Sequence, residues 1–445
     1  GCGFTNLNAI GRNTEIESGA YNFYTGFGLH TGSSLSIGSD VATINSGAFE
    51  GFGFTGNLEL PYSTIFVGSG AFKDCTGIGP NLTIESSEAR QTGIVMEVDT
   101  FDNCQSLTGS LIIGPEHNSG IDSECFSTTP FSKLEVYPGS TLIQSGDFDY
   151  FSLKPTNLEM SSGLLVIGDE SFLNYSFVGD LILPTGLTEI GARAFSGCNF
   201  DGTLSIPTGV YLDVEIFNGN SFTTVEMSEL NVKENVSSIK DGDYTPLKDG
   251  AKSLILHSGV SGIENSAFED FGSLTGLLSL PDASGGINIG NRAFFDCSGF
   301  DTLRIHTGNN IGVDSFLGCD FTELSIPIST LISGQGEVES GDYFWYKNDY
   351  NFDQQSSLTF YTGSNITYQS PLFIDDSAFL DFDFTGSLYF PTGVGYIGNK
   401  AFYGCDKFVG DLLMDEVYFI DNQAFQNCSG FDGELKLYSG IIAIG

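Results

Sequence analysis

Residues 181–198 read LILPTGLTEIGARAFSGC, and residues 388–405 read LYFPTGVGYIGNKAFYGC. The apolar letters, the glycines and the Ala-Phe pair coincide while the polar letters change, so the two stretches are copies of one structural unit. Aligning the chain on L-x-[LIM] places unit starts at Leu35, Leu58, Leu82, Leu111, Leu134, Leu158, Leu181, Leu204, Val225, Leu254, Leu278, Leu303, Leu324, Leu358, Leu388, Leu412 and Leu435, mostly 23 or 24 residues apart. The unit is L-x-L-P-[ST]-G-x-x-x-I-G-x-x-A-F-x-x-C-x-F-x-G. Its alternating L-x-L predicts a short strand with both apolar side chains on one face, and Pro followed by [ST]-G predicts a turn that ends it. One such unit cannot bury its apolar face, whereas stacked units cover one another.

The Ala-Phe pair, as at Ala194-Phe195 and Ala401-Phe402, falls on the return path of each coil. A small residue beside a large ring predicts a tight turn or one turn of helix with the ring inward, and successive rings would form a spine. A stripe of rings would also suit a ligand track, but one ring per coil at a fixed position favours the core. Cys75, Cys104, Cys198, Cys297, Cys319, Cys405 and Cys428 each follow the anchor Phe by three residues; Cys2 extends the column and Cys125 is out of step. Adjacent coils lie ~4.8 Å apart, so 75/104, 297/319 or 405/428 could bridge. Several members have no Cys in the next coil, which favours buried free thiols, and no CxxC pair suggests zinc.

A longer period overlies the first. Blocks of about four coils start near 58, 158, 254 and 358, and Arg193, Arg292 and Lys400 share one slot of I-G-x-[RK]-A-F. In each block one coil replaces Gly-Ala-Phe by Gly-Asp-aromatic (Gly146-Asp147-Phe148, Gly242-Asp243-Tyr244, Gly341-Asp342-Tyr343). The segments that follow, around 146–157, 228–253 and 333–357, are expected to project from one side.

Acidic residues number 56 against 16 lysines and arginines, giving a net charge of −40. That balance repels nucleic acid and anionic lipid. It suits a salty or divalent-rich exterior, and equally serves to keep a large repetitive body soluble. No apolar run approaches the ~18 residues of a membrane span, so direct membrane insertion is not expected. No linker divides the 445 residues, and the reading is one continuous solenoid of about 18 coils over 1–445.

Chemistry-bearing motifs are sparse. His30, His257 and His306 stand before [ST]-G, the slot Pro fills elsewhere, and His117 sits one place earlier, which makes them slot substitutions. No nucleophile elbow, phosphate loop or HExxH occurs, so no catalytic residue is assigned and an enzyme is not expected. Asp241/Asp243 and Asp381/Asp383 are calcium candidates, without an EF-hand or GGxGxD pattern beside them; apart from calcium no cofactor is expected. The loop GDYFWYKNDYNF at 341–352 gathers Tyr343, Phe344, Tyr346, Tyr350 and Phe352 around the single Trp345. Aromatics beside Asp and Asn suit a sugar face or a protein contact, and equally a cover for the solenoid edge. Asn81, Asn174, Asn235, Asn365 and Asn427 head N-x-[ST] sequons, permitting glycosylation in a eukaryotic secretory route.

The two phrases at 181–198 and 388–405 resemble the BspA-type leucine-rich repeat, over essentially the whole chain. The resemblance implies a right-handed repeat β-solenoid with a parallel sheet on one face, and an extracellular or cell-surface protein used in adhesion. The F-x-G link (Phe200-Asp201-Gly202, Phe384-Thr385-Gly386) and the four-coil block depart from that family's pattern. Gly1-Cys2-Gly3-Phe4 reads as the tail of a unit, and Ile444-Gly445 stops short of an expected x-x-A-F. The expectation is therefore a window of a longer chain, or copies that stack head to tail into a filament, sheath or surface layer. The alternative is a binding module that takes glycans or proteins through projecting loops.

Overall fold

A computed structural model of the chain describes residues 6–9, 15–18, 32–85, 93–114, 120–145, 147–148, 155–236, 238–257, 259–281, 286–305, 309–327, 356–361, 372–390 and 392–445. It is a parallel-strand β-solenoid with almost no helix. The chain forms two compact units, Gly1–Glu226 and Met227–Gly445.

Most of the described coils carry two short strands. The L-x-L strand builds a first ladder, in which the leucines that start the coils pair in register: Leu58 with Leu82, Leu82 with Leu111, and Leu181 with Leu204 in the first unit; Leu278 with Leu303, Leu303 with Leu324, and Leu412 with Leu435 in the second. Parallel pairing in register puts like side chains over like, so every leucine of the column covers the one before it. The I-G strand builds a second ladder. In the first unit it comprises Glu15–Ile16, Thr43–Ile44, Phe66–Val67 and Val95–Met96, then Leu142–Ile143, Val166–Ile167, Glu189–Ile190 and Tyr211–Leu212. In the second it comprises Ser238–Ile239, Gly262–Ile263, Asn288–Ile289 and Asn310–Ile311, then Leu372–Ile374, Val394–Ile397, Phe419–Ile420 and Ala443–Ile444. Each of these groups takes in four successive coils, and those that begin at Leu142 and Ser238 start one strand ahead of the sequence blocks placed near 158 and 254.

The glycine of I-G is required by proximity. A Cβ on Gly68, Gly191 or Gly290 would lie 2.5, 2.5 or 2.4 Å from a backbone nitrogen of the previous coil. At that distance the glycine N–H donates to the preceding Ile carbonyl, as Gly191 does to Ile167 at 2.7 Å.

The Ala-Phe return path is a run of turns, and its rings do form a spine. Phe49, Phe72, Phe101 and Phe126 stack at 5.2, 5.1 and 5.5 Å, and Phe148, Phe172, Phe195 and Phe217 at 5.2, 5.3 and 5.8 Å. In the second unit Tyr244, Phe268, Phe294 and Phe316 continue the pattern, as do Phe379, Phe402 and Phe425. The Phe of the F-x-G link adds a second column, with Phe177 5.5 Å from Phe200 and Phe384 6.0 Å from Phe408. Two residues bracket each turn in the left-handed region: the one before Ala (Arg193 φ 56°, Arg292 φ 57°, Lys400 φ 57°) and the second after Phe (Asp74 φ 60°, Asn174 φ 58°, Asp381 φ 55°). The second position is filled by Gly, Asp or Asn because these tolerate positive φ best.

The expected projection at 228–253 is corrected by the structure. Leu230 pairs with Leu254, Ile239 with Ile263, and the buried Tyr244 stacks 6.1 Å from Phe268. The segment is therefore built into the ladders rather than projecting: Val225 pairs with Leu204 as the coil start that the L-x-L alignment gave, and Leu230-Asn231-Val232, five residues on, is a further strand that the alignment missed. Phe148 likewise lies in the spine rather than in a projection. Residues 333–355 lie outside the described residues. The core positions of the last described coil, Leu435, Leu437 and Ile444, are 61, 38 and 57% exposed, since in a stack each coil's core face is covered by the coil after it.

Candidate functional site

The slot three residues after the anchor Phe is a hydrogen-bond donor slot. Cys75, Cys104, Cys198, Cys297, Cys319, Cys405 and Cys428 each donate from Sγ to the carbonyl of the previous coil's anchor Phe, at 2.9–3.1 Å. Thr129, Tyr175 and Asn220 take the same place and donate to Phe101, Phe148 and Phe195 at 3.2, 2.7 and 2.9 Å. Cys125 is out of step because it fills the Ala position before Phe126, and Thr129 fills the donor slot of that coil. The described cysteines are free. Burial pushes the thiol of Cys104 up to about 12 and that of the less buried Cys428 up to about 11. These are structural thiols, not nucleophiles.

Carboxylates and amides form a second coil-to-coil set. Asp169 Oδ1 accepts from Ala192 N at 2.9 Å, Asp180 Oδ1 from Thr203 N at 2.7 Å, and Asn265 Oδ1 from Asn291 N at 2.8 Å. The single-atom Oδ of a short side chain reaches one strand spacing along the stack, which is what such a site needs.

The calcium candidates belong to this framework. Asp243 is buried in an Ala position, and its Oδ2 accepts from Lys240 N at 2.7 Å. Asp147 does the same for Gln144 N. Ser238–Ile239 and Leu142–Ile143 are outermost strands of their ladders, so the N–H that follows lacks a preceding Ile carbonyl and the Asp supplies the acceptor. Asp381 is the left-handed turn residue, and its Oδ1 fills the space a Cβ on Gly404 would take. Asp383 pairs with Lys407 at 3.2 Å. Among the described residues no three His, Cys, Asp or Glu side chains form a metal-holding group.

Asn174, Asn235 and Asn427 are exposed residues at positive φ, so the fold accounts for asparagine there. Asn81 Oδ1 is engaged by Ser110 N at 2.8 Å. Asn365 and the aromatic loop residues Tyr343, Phe344, Trp345, Tyr346, Tyr350 and Phe352 lie outside the described residues. His257 Nε2 meets Asn231 Oδ1 at 2.7 Å, an amide contact rather than a catalytic pair.

Asp241 leads to a further feature that sequence reading missed. It lines a groove of ≈ 770 Å³ in the second unit, running over the strands at 238–239, 262–263, 288–289 and 310–311. The floor is polar: Asn310 Nδ2 donates to Asn288 Oδ1 at 3.3 Å, and Ser238 Oγ to Glu264 Oε1 at 2.7 Å. Gly262 and the small side chains of this column leave the concavity, and their adjacency across coils is invisible in one unit. The groove offers hydrogen-bond donors and acceptors to a polar partner.

The repeat decides the relationship. BspA type leucine rich repeat regions, six copies in all, match residues 14–93, 94–223, 215–335 and 348–441. The chain belongs to the BspA-type leucine-rich repeat family. Among solved structures, a leucine-rich repeat protein from Bacteroides ovatus ATCC 8483 is similar at 18% identity over 80% of this chain and 84% of its own, with a TM-score of 0.33. A leucine rich cell surface protein from Faecalibacterium prausnitzii A2-165 is similar at 17% identity over 90% of this chain and 83% of its own, with a TM-score of 0.23. No curated protein matches the chain. No helix among the described residues is long and apolar enough to cross a membrane.

Proposed function

We propose that this BspA-type chain is a non-enzymatic, extracellular structural or adhesive repeat protein of the cell surface. The observation that carries the reading is that the polar side chains recurring in the repeat are engaged in joining coil to coil. Thiols and hydroxyls donate to the Phe spine, and carboxylates accept the next coil's N–H. A reaction centre needs such groups free to meet a substrate, whereas a scaffold needs them where they are. Family membership supports the surface location. The outward faces then serve contacts with further copies, end to end or side by side, in a filament, sheath or layer.

A second reading, a binding module for glycans or proteins, is favoured by the polar groove at Asn288 and Asn310. Negative-stain imaging of the purified chain with light scattering separates the two. Fibres or sheets that grow with concentration are expected for the structural role. Discrete single-chain particles at every concentration would sink assembly and leave the binding role.

A further inference from the structure

The solvent-facing position of the second ladder varies freely from block to block. It is Glu15, Thr43, Phe66 and Val95 in one block, and Ser238, Gly262, Asn288 and Asn310 in another. In the last block it is Phe373, Tyr396 and Phe419 in three successive coils, paired in register. Their ring centroids are 5.6 and 6.5 Å apart, Phe373 and Tyr396 are half-buried, and Phe419 is 40% exposed. Packing into the core does not require rings here, because the inward positions of these strands are filled by Leu372, Ile374, Ile397 and Ile420.

Carboxylates edge this column. Asp421 Oδ2 accepts from the Tyr396 hydroxyl at 3.1 Å, and Asp375 and Asp376 stand two and three residues beyond Phe373. Burial, the Asp421 hydrogen bond, and the charges of Asp421, Asp376 and Asp375 together raise the Tyr396 hydroxyl above its ordinary value. Among the described residues no lysine or arginine forms an ion pair with these three acids. The column is thus a row of π-faces in an uncompensated negative field, on a chain of net charge −40.

We propose that the face formed by Phe373, Tyr396 and Phe419, edged by Asp375 and Asp421, docks an arginine-bearing basic segment of a protein partner. Charge complementarity selects the cation, and the rings select the planar guanidinium over a point charge. The chain uses the same contact internally: the Arg292 guanidinium lies 3.4 Å from the centroid of the Phe295 ring. A sugar strand fits less well, because rings tilted by 42° and 49° to one another give successive pyranoses no common plane to lie on.

The inference needs no self-assembly, so its failure would leave the scaffold reading standing. The test is calorimetric titration of the full chain with hexaarginine, hexalysine and a neutral hexasaccharide at ~0.3 M salt, where exposed charges more than about 6 Å apart are largely screened and close contacts are left to discriminate. Hexaarginine is expected to bind more tightly than hexalysine, and to weaken by about fivefold or more in Phe373→Ala/Phe419→Ala. Asp375→Asn/Asp421→Asn keeps the rings and one acceptor oxygen at each site, and the amide introduced at 421 can donate to the Tyr396 hydroxyl oxygen, so it should weaken binding without changing the melting temperature. Equal hexaarginine binding by wild type and both variants would mean generic attraction to an acidic surface and overturn the proposal. Ring-dependent binding of the hexasaccharide without ring-dependent binding of hexaarginine would overturn it in favour of a glycan.

Discussion

Replacing Asn220 by alanine tests the donor slot directly. Asn220 Nδ2 donates to Phe195 O at 2.9 Å and to Phe217 O at 2.8 Å, while its Oδ1 accepts from Phe200 N at 3.1 Å. Both carbonyls keep a backbone donor in the variant, Cys198 N for Phe195 and the residue's own N for Phe217. Losing the two donated bonds therefore costs about 0.5–1.5 kcal/mol together. Phe200 is buried, and its N–H is left without an acceptor, which costs roughly 1–3 kcal/mol more. Asn220→Ala should thus lose about 1.5–4.5 kcal/mol. Asn220→Cys restores donation with the geometry Cys198 uses on Phe172, but not acceptance, and should fall between alanine and wild type. Urea unfolding followed by circular dichroism reads both values, and hydrogen exchange should place the loss in the coils around 195–222. An alanine variant within about 0.5 kcal/mol of wild type, or a cysteine variant no better than alanine, would refute the donor slot.

Gly191→Ala puts a Cβ 2.5 Å from Asp169 N, so two coils must separate, and a loss of about 1–3 kcal/mol is expected by the same denaturation assay. Gly209 has φ 82° with open space around it, so Gly209→Ala carries only the left-handed penalty of roughly 1–2 kcal/mol, and a larger loss there than at Gly191 would contradict the account. Asp243→Ala restores the commonest residue of its slot yet orphans Lys240 N; it should destabilise by about 1–3 kcal/mol, whereas Asp243→Asn keeps an acceptor and should lose less. With its thiol pushed up to about 11, Cys428 is mostly protonated at neutral pH. Its alkylation at pH 8 should run about two hundred times slower than that of a free thiol with a value of ~8.5, and accelerate about tenfold per pH unit up to its own value. A rate typical of an exposed thiol, read by mass spectrometry of the intact chain, would remove the burial argument.

The repeat at 181–198 was legible because its information is local. L-x-L and A-F each set a strand or an inward ring within one coil, and stacking merely superposes them, so most coil starts, the L-x-L ladder and the Phe spine follow from the letters, whereas the second ladder over I-G did not. What Cys198, Thr129, Tyr175 and Asn220 share was not legible. They differ in every property except a donor at one place, and the acceptor they meet lies a whole coil earlier in the chain. The same holds for Asp243, which as a sequence feature suggests a cation and in the fold caps a turn at the end of a ladder. The groove over Asn288 and Asn310 and the ring column of Phe373, Tyr396 and Phe419 each depend on residues 22 to 26 positions apart. The sequence by itself determined which side chains face inward, since apolar periodicity dictates that within a single coil. Only the tertiary structure decided which outward side chains stand side by side, since register between coils is set by the sum of many pairings rather than by any one of them.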